Sequence, residues 1–120
     1  MVNNNIFTQT TSIERFIYAI ENNMFVQAHE LLEDDWRNYK NIYKQTDNEI
    51  YWIKAKAVQG LINGATALAL YFDKKRPHSY EKIWKVFEKY EPLLKESGLE
   101  NLEKYFYARD LLIKINSTIK

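Results

Sequence analysis

The chain has 120 residues, of which 46% are hydrophobic and 28% charged, and it contains no cysteine. This length fits one domain that can bury a core, and the lack of cysteine excludes disulfides, thiolate zinc sites and a cysteine nucleophile. The formal net charge is only +1, with acidic and basic residues mixed along the chain. This balance argues against a nucleic-acid-binding protein, which normally carries a basic excess on one face.

The sequence predicts a soluble, cytoplasmic protein. Its first residues lack the basic flank and apolar run of a secretory signal. The longest apolar stretch, residues 57–72, is interrupted by Gln59, Asn63 and Thr66 and is too short to suggest a membrane span. The basic run at residues 74–76 stands beside a proline, and we interpret it as a solvated loop rather than a phosphate-binding patch.

Residues 1–10 form a predicted polar N-terminal tail, and residues 11–120 form a predicted single helical domain. Thr11 and Glu14 have the spacing of a capping box, which predicts the start of the first helix. Two asparagines at residues 22–23 predict its end, because asparagine tolerates the left-handed conformation that closes helices.

A second helix is predicted from about residue 24 to about residue 43. Its apolar face is formed at helical spacing by Phe25, Ala28, Leu32, Trp36, Tyr39 and Tyr43. A loop follows at residues 46–48, where Asp47 or Asn48 is the predicted cap of the next helix.

A long third helix is predicted over about residues 49–72, and it is apolar on most of its circumference. Such a helix belongs at the centre of a bundle. Gly60 and Gly64 lie one turn apart, and we expect them to let neighbouring helices approach closely, which offsets the cost of glycine in a helix.

Pro77 suits the first turn of a fourth helix, and Pro92 is expected to end or kink it. Gly98 closes a short segment before a last helix from about Leu99. The predicted inward residues of these two helices are Tyr80, Ile83, Trp84, Phe87, Tyr90, Leu102, Phe106, Leu112 and Ile115. No strand-like alternation occurs, so the predicted fold is all-α: a compact bundle of about five helices, built from helical hairpins around the long central helix.

Two segments carry a resemblance to a known family. Residues 25–37 read FVQAHELLEDDWR, and residues 59–62 read QGLI, with alanines at 65 and 67. These segments resemble the paired motifs of a small helical family catalogued as domain of unknown function 309, over about residues 16–94. The resemblance implies an all-helical fold of hairpins around a central helix and no assigned activity. The positions it implies as characteristic are His29, Glu30, Glu33, Trp36, Gln59 and Gly60.

The chain departs from the family pattern in two places. Family members tend to carry a histidine near the end of the central helix, where this chain has Tyr71 and Phe72. They also tend to have a Gly-Asn turn and a Gly-Ala pair near the next helix, where this chain has residues 75–77 and 79–81. If that histidine contributes to a site, the site is incomplete here.

The most chemically suggestive cluster is His29, Glu30 and Glu33, which helical spacing brings together on the second helix. A histidine and two carboxylates are able to bind a metal or to perform acid–base chemistry. The pattern is not the His-Glu-x-x-His of zinc proteases, and the di-iron pattern is also absent. The structural alternative is that His29 hydrogen-bonds a neighbour while Glu33 pairs with Arg37. We predict no bound metal and no cofactor.

A polar strip runs down the third helix and consists of Lys56, Gln59, Asn63 and Thr66. In the simplest interpretation this strip faces water. The alternative hypothesis is that it faces the second helix, so that Gln59 meets His29 and Glu33 in a small polar pocket. Such a pocket is tolerated only if its groups are hydrogen-bonded.

Aromatic residues make up 15% of the chain, including three tryptophans and nine tyrosines. Most are expected in the core, but Trp52 lies on the side of the polar strip and is the best candidate for a partner surface. We therefore expect a non-catalytic module that binds another protein or its own copy, in which Trp36 and the His29–Glu33 pair fix the hairpin. The alternative is a small-molecule- or metal-dependent enzyme that uses His29, Glu30 and Glu33.

Overall fold

The computed structural model describes residues 10–119, which form six α-helices and one 3-10 segment and contain no strand. The predicted all-α fold is confirmed. The predicted tail lies outside the described residues, except for Thr10. The elements are α1 (Ser12–Glu21), α2 (Phe25–Leu31), α3 (Glu33–Thr46), α4 (Glu49–Phe72), α5 (Pro77–Tyr90), the 3-10 segment (Glu91–Glu96) and α6 (Leu102–Asn116).

Helix α4 is the centre of the bundle, and its bounds are those predicted. It packs against α2, α3, α5, the 3-10 segment and α6. Because neighbours surround it, its apolar circumference is hidden from water. Its buried residues are Ala55, Ala57, Val58, Gly60, Leu61, Ile62, Gly64, Ala65, Ala67, Leu68 and Ala69. Within residues 10–119, no helix combines the length and the hydropathy that a membrane crossing requires.

The predicted helix ends are formed by local hydrogen bonds. The Thr11 backbone N–H donates to the Glu14 carboxylate at 2.9 Å, and the Thr11 hydroxyl accepts from the Glu14 backbone N–H, which completes a capping box. Asn23 has a left-handed backbone with φ 59° after α1. Asp47 closes α3 in the same conformation, and the Asn48 side chain caps α4.

The second predicted helix is not continuous, because α2 ends at Leu31 and α3 begins at Glu33. Between them Leu32 has φ −104° and ψ −2°, away from regular helical values. Its side chain is fully buried, and both α2 and α3 pack on α4. The turn at Leu32 thus lets two short helices follow the surface of the central helix. No glycine or proline marks this position, so the sequence pattern did not predict it.

The two glycines of α4 do lie at close helix contacts. A methyl group at Gly60 would stand 3.1 Å from Tyr90 Cβ and 3.2 Å from the Glu91 nitrogen. A methyl group at Gly64 would stand 2.9 Å from Leu112 Cδ1 and 2.9 Å from Phe87 Cδ1. The sequence predicted close approach of a neighbouring helix at these glycines, and the structure shows that α5 packs closely at Gly60 and that α5 and α6 do so at Gly64.

The C-terminal third follows the predicted order with one shift. Pro77 begins α5, and α5 ends at Tyr90, two residues before Pro92. The last helix begins at Leu102 rather than about Leu99, because Asn101 has a left-handed backbone with φ 60°. The buried residues of α6 are Tyr105, Ala108 and Leu112, whereas Leu102, Phe106 and Ile115 are partly buried. The basic run at residues 74–76 lies in the exposed turn between α4 and α5.

Candidate functional site

His29 is held by a contact within its own helix. Its Nδ1 donates a hydrogen bond to the backbone carbonyl of Val26, one turn earlier in α2. A carbonyl can only accept, so this contact places a proton on Nδ1. Glu30, the next residue, is exposed to solvent.

Glu33 lies in the first turn of α3, where its negative charge interacts favourably with the helix dipole. Its carboxylate lies 3.8 Å from the Arg37 guanidinium one turn later. Arg37 also donates to Asp34 at 3.2 Å. The side chains of Glu33 and Arg37 are 33% and 55% exposed, so this is a surface ion pair. The predicted structural contacts of His29 and Glu33 are both formed.

The alternative of a metal centre at His29, Glu30 and Glu33 has no support in the described side chains. Within residues 10–119, no group of three or more histidine, aspartate and glutamate side chains is placed to hold a metal ion. The continuous helix assumed for His29, Glu30 and Glu33 is interrupted at Leu32. The spacing rule that would have brought the three together therefore does not apply across this position.

The alternative hypothesis of a polar pocket between Gln59 and the His29–Glu33 pair is not supported by hydrogen bonds either. Gln59 accepts a hydrogen bond from Lys56 Nζ at 3.4 Å and makes none to His29 or Glu33. After the turn at Leu32, α3 presents Trp36 to this part of α4 instead of Glu33. Further along the strip, the Thr66 hydroxyl donates to a backbone carbonyl of its own helix, and Asn63 is half-buried.

Gln59 and Lys56 instead line an open groove beside α3, which we call the α3–α4 groove. It has a volume of about 360 Å³. Its lining residues are Trp36, Lys40, Tyr43, Lys44, Trp52, Ala55, Lys56 and Gln59. Three of them are lysines, three are aromatic and none is acidic. The groove thus combines aromatic surface with an uncompensated positive charge.

The lysines of the α3–α4 groove lie over aromatic rings. Lys40 Nζ is 4.1 Å from the centre of the Trp36 ring system. Lys56 Nζ is 5.1 Å from the centroid of Tyr90, on α5, and 5.9 Å from that of Trp52. These are cation–π distances, which orient the ammonium groups without neutralising them.

The two tryptophans of the groove differ in their surroundings. Trp52 is 37% exposed, so much of its indole is accessible to a partner. It lies on the same side of α4 as Lys56 and Gln59, as predicted. Trp36 is more enclosed, and its Nε1 is buried without a hydrogen-bond partner among the described residues. An unpaired buried donor costs stability, so Trp36 is not optimised for the fold alone.

Gly60 helps to shape this surface. Because it has no side chain, the end of α5 packs directly on α4 and brings Tyr90 next to Lys56. Lys56 and Gly60 are four residues apart and therefore lie on one face of α4. Gln59 is thus part of the α3–α4 groove, and Gly60 lies at its border.

Sequence reasoning missed Lys40, Tyr43 and Lys44 as site residues. Trp36 and Tyr43 were assigned to the apolar face of the second helix, and the lysines were not assigned to any site. A signal was present, because residues 36, 40, 43 and 44 share one helical face. Only the packing of α3 on α4 brings that face together with Trp52 and Lys56.

Comparison with known proteins found no family model, no curated protein and no solved structure that matches this chain. The resemblance to domain of unknown function 309 therefore stays a prediction from the residues that carry it.

Proposed function

We propose that this chain is a non-catalytic interaction module that binds an acidic segment of a partner protein in the α3–α4 groove. The observation that carries the proposal is the lining of this groove, with three lysines, three aromatic side chains and no carboxylate. In this proposal Trp36 is positioned on α4 by the turn at Leu32 and by the local contacts of His29 and Glu33.

The chemistry of the groove favours an acidic protein segment over a neutral one. Lysine ammonium groups at a rim attract carboxylates and raise the rate of association. Tryptophan and tyrosine supply contact area that loses little side-chain entropy on binding. Lys40 and Lys56 already lie over aromatic rings, so a carboxylate that pairs with them is held close to an apolar surface.

Trp36 adds a second reason. Its Nε1 has no acceptor among the described residues, and Lys40 covers its ring at 4.1 Å. In this proposal a partner carboxylate that pairs with Lys40 also accepts a hydrogen bond from the indole N–H after a local rearrangement uncovers it. Binding then satisfies a donor that has no partner within residues 10–119, which favours the complex.

The test is calorimetric titration of the chain with a glutamate-rich peptide that contains one phenylalanine. The control peptide has glutamine in place of every glutamate. We expect the acidic peptide alone to bind, and we expect its affinity to fall as salt is raised, because exposed charges are screened. Equal binding of both peptides, or binding of neither, contradicts the proposal.

A pair of variants locates the binding site. Lys44→Glu reverses an exposed charge in the groove and should weaken peptide binding roughly fivefold or more. Lys74→Glu makes the same charge change in the α4–α5 turn and should leave the affinity unchanged. If both variants weaken binding equally, the peptide responds to net charge and not to this groove. Sedimentation analysis of the chain alone reports whether a second copy occupies the groove instead.

A further inference from the structure

A second pocket lies on another face of the α3–α4 pair, where α6 and the start of α1 meet these helices. Its volume is about 460 Å³, and most of its accessible lining is polar. The residues that give it its chemistry are Asp35, Tyr39, Tyr51, Lys54, Glu100 and Tyr105. We call it the tyrosine pocket. It shares no lining residue with the α3–α4 groove.

Three phenol rings from three helices form its aromatic walls. Tyr39 of α3 and Tyr51 of α4 have ring centroids 6.4 Å apart, with an angle of 33° between their planes. Tyr105 of α6 is only 6% exposed. The face of each ring carries partial negative charge and attracts cations. Aromatic walls of this kind are typical of sites that recognise organic ammonium groups.

The charges of the tyrosine pocket add to this preference. Asp35 and Glu100 line it, and neither forms a salt bridge with any residue in the range 10–119. The one lining cation, Lys54, donates its ammonium hydrogen to the Gly98 carbonyl at 3.0 Å, and its Nζ lies 5.9 Å from the centroid of the Tyr39 ring. The formal charge of the lining is therefore −1, from two carboxylates and one lysine.

The Tyr105 hydroxyl is a further polar group that lacks a partner. It lines the pocket and makes no hydrogen bond to any residue the structure describes; the residue is 6% exposed, but its hydroxyl oxygen is not fully buried and is open to the pocket. Burial, followed by the neighbouring Tyr39 and Asp35, raises the pKa of Tyr105 above its usual range. Burial and the charges of Asp35 and Glu100 also raise the pKa of Tyr39. Both phenols are neutral at physiological pH, as tyrosines ordinarily are, and their hydroxyl groups are able to form hydrogen bonds.

We propose that the tyrosine pocket binds a small organic cation with a primary or N-methylated ammonium group. The ammonium lies against the ring of Tyr51, because Lys54 already lies over the Tyr39 ring, and Asp35 and Glu100 balance its charge. A metal ion fits less well, because in the described part of the chain no three acidic or histidine side chains are grouped as ligands. An anion is opposed by the two carboxylates.

The probes are choline, n-propylammonium and 3,3-dimethylbutan-1-ol, which is the uncharged carbon analogue of choline. Nuclear magnetic resonance titration of the whole chain follows the tyrosine ring signals. We expect at least one ammonium probe to bind saturably at millimolar concentrations, and roughly fivefold or more tightly than the alcohol. Equal binding of the alcohol overturns the proposal. Failure of both ammonium probes to bind overturns it as well.

A matched pair of variants tests the pocket itself. Asp35→Asn keeps the shape of the side chain and removes its charge, and it should weaken binding of the ammonium probe roughly fivefold. Asp34→Asn removes the same charge from the adjacent residue, whose side chain is 97% exposed and pairs with Arg37 outside the pocket. The second variant should leave the affinity unchanged. An equal loss in both variants, or no loss in either, overturns the assignment to this pocket.

Discussion

At the scale of the single residue, Glu33 illustrates how solvent exposure determines how much an ion pair contributes to the free energy of unfolding. Its only salt-bridge partner among the described residues is Arg37, at 3.8 Å, and both side chains reach solvent. Exposed pairs of this kind contribute about 0–1 kcal/mol, because water screens them and two long side chains lose freedom. In a buried pair, desolvation would offset much of the attraction, but removal of one partner would leave an uncompensated buried charge and cost about 3–5 kcal/mol.

We predict that Glu33→Ala lowers the free energy of unfolding by less than about 1 kcal/mol, from the lost ion pair and helix-dipole interaction. Urea unfolding followed by circular dichroism measures this difference. Leu32→Ala serves as a comparison, because Leu32 is fully buried and its truncation should cost about 2–5 kcal/mol. A loss above about 2 kcal/mol for Glu33→Ala would mean that Glu33 has a buried partner, contrary to the surface pair described above.

At the scale of the element, the central helix shows that a glycine in mid-helix can be required by packing. Gly64 stands against the side-chain ends of Leu112 and Phe87, both of which are themselves buried. These two side chains come from α6 and α5, so Gly64 is the point where three helices meet. In a close-packed core, such ends have little room to move.

We predict that Gly64→Ala lowers the melting temperature, although alanine favours the helix by about 1 kcal/mol. The added methyl group would lie 2.9 Å from two carbon atoms, and overpacking of a core typically costs about 1–3 kcal/mol. Asn63→Ala, one position earlier and half-buried, gains helix propensity without this clash and should be neutral or slightly stabilising. A higher melting temperature for Gly64→Ala would contradict this prediction. It would mean that α5 and α6 shift away from α4 to admit the methyl group at little cost in free energy.

The break at Leu32 is a second lesson at this scale. Helical periodicity continues through residues 25–43, so the pattern predicts one helix. The chain nevertheless divides, because α2 and α3 both pack on α4 and the fully buried Leu32 occupies the turn between them. This local change overturned the predicted cluster of His29 and Glu33, since both residues had been placed on one continuous helix.

At the scale of the whole molecule, α6 connects the two ends of the described chain. It packs against α1, and Lys104 Nζ donates to the Glu14 carboxylate at 2.9 Å. On the same side the Tyr107 hydroxyl donates to Glu21 at 2.7 Å. Glu14 therefore has two roles, because it also completes the capping box at the start of α1 with Thr11.

These contacts lower the pKa of Glu14 from 4.5 to about 2, with the Thr11 backbone hydrogen bond as the largest cause and Lys104 next. A lowered pKa in the folded state means that the carboxylate contributes stability above about pH 4.5, and that this contribution is lost as the pH falls towards 2. We predict that Glu14→Gln, which retains capping geometry without charge, is less stable than the native chain at pH 7. The difference should shrink as the pH falls through this range, as thermal unfolding at several pH values will show.

Lys104→Met separates the two contributions to the Glu14 pKa. It removes the Lys104–Glu14 contact between α6 and α1 and leaves the Thr11 hydrogen bonds in place. Lys104→Met should therefore remove only the smaller part of the pH-dependent stability that Glu14 contributes. If Lys104→Met removes all of that contribution, the Lys104–Glu14 contact outweighs the local cap.

The amino-acid sequence by itself determined the features that depend on near neighbours in the chain. The capping box at Thr11, the cap at Asn48 and the extent of α4 were all predicted correctly. Each rests on hydrogen bonds or periodicity within a few residues. The central position of α4 followed as well, because an all-round apolar helix has no other stable location.

Only the tertiary structure decided where the polar and charged side chains meet. The α3–α4 groove joins Trp36 and Lys40 to Trp52 and Lys56 across two helices, and the tyrosine pocket joins Tyr39, Tyr51 and Tyr105 across three. The spacing of residues along one helix does not predict which side chains of different helices come together. Those contacts depend on the helix packing angles, which are set by buried contacts such as those at Gly60 and Gly64. A single turn at Leu32 therefore changed which side chains of α3 face the central helix.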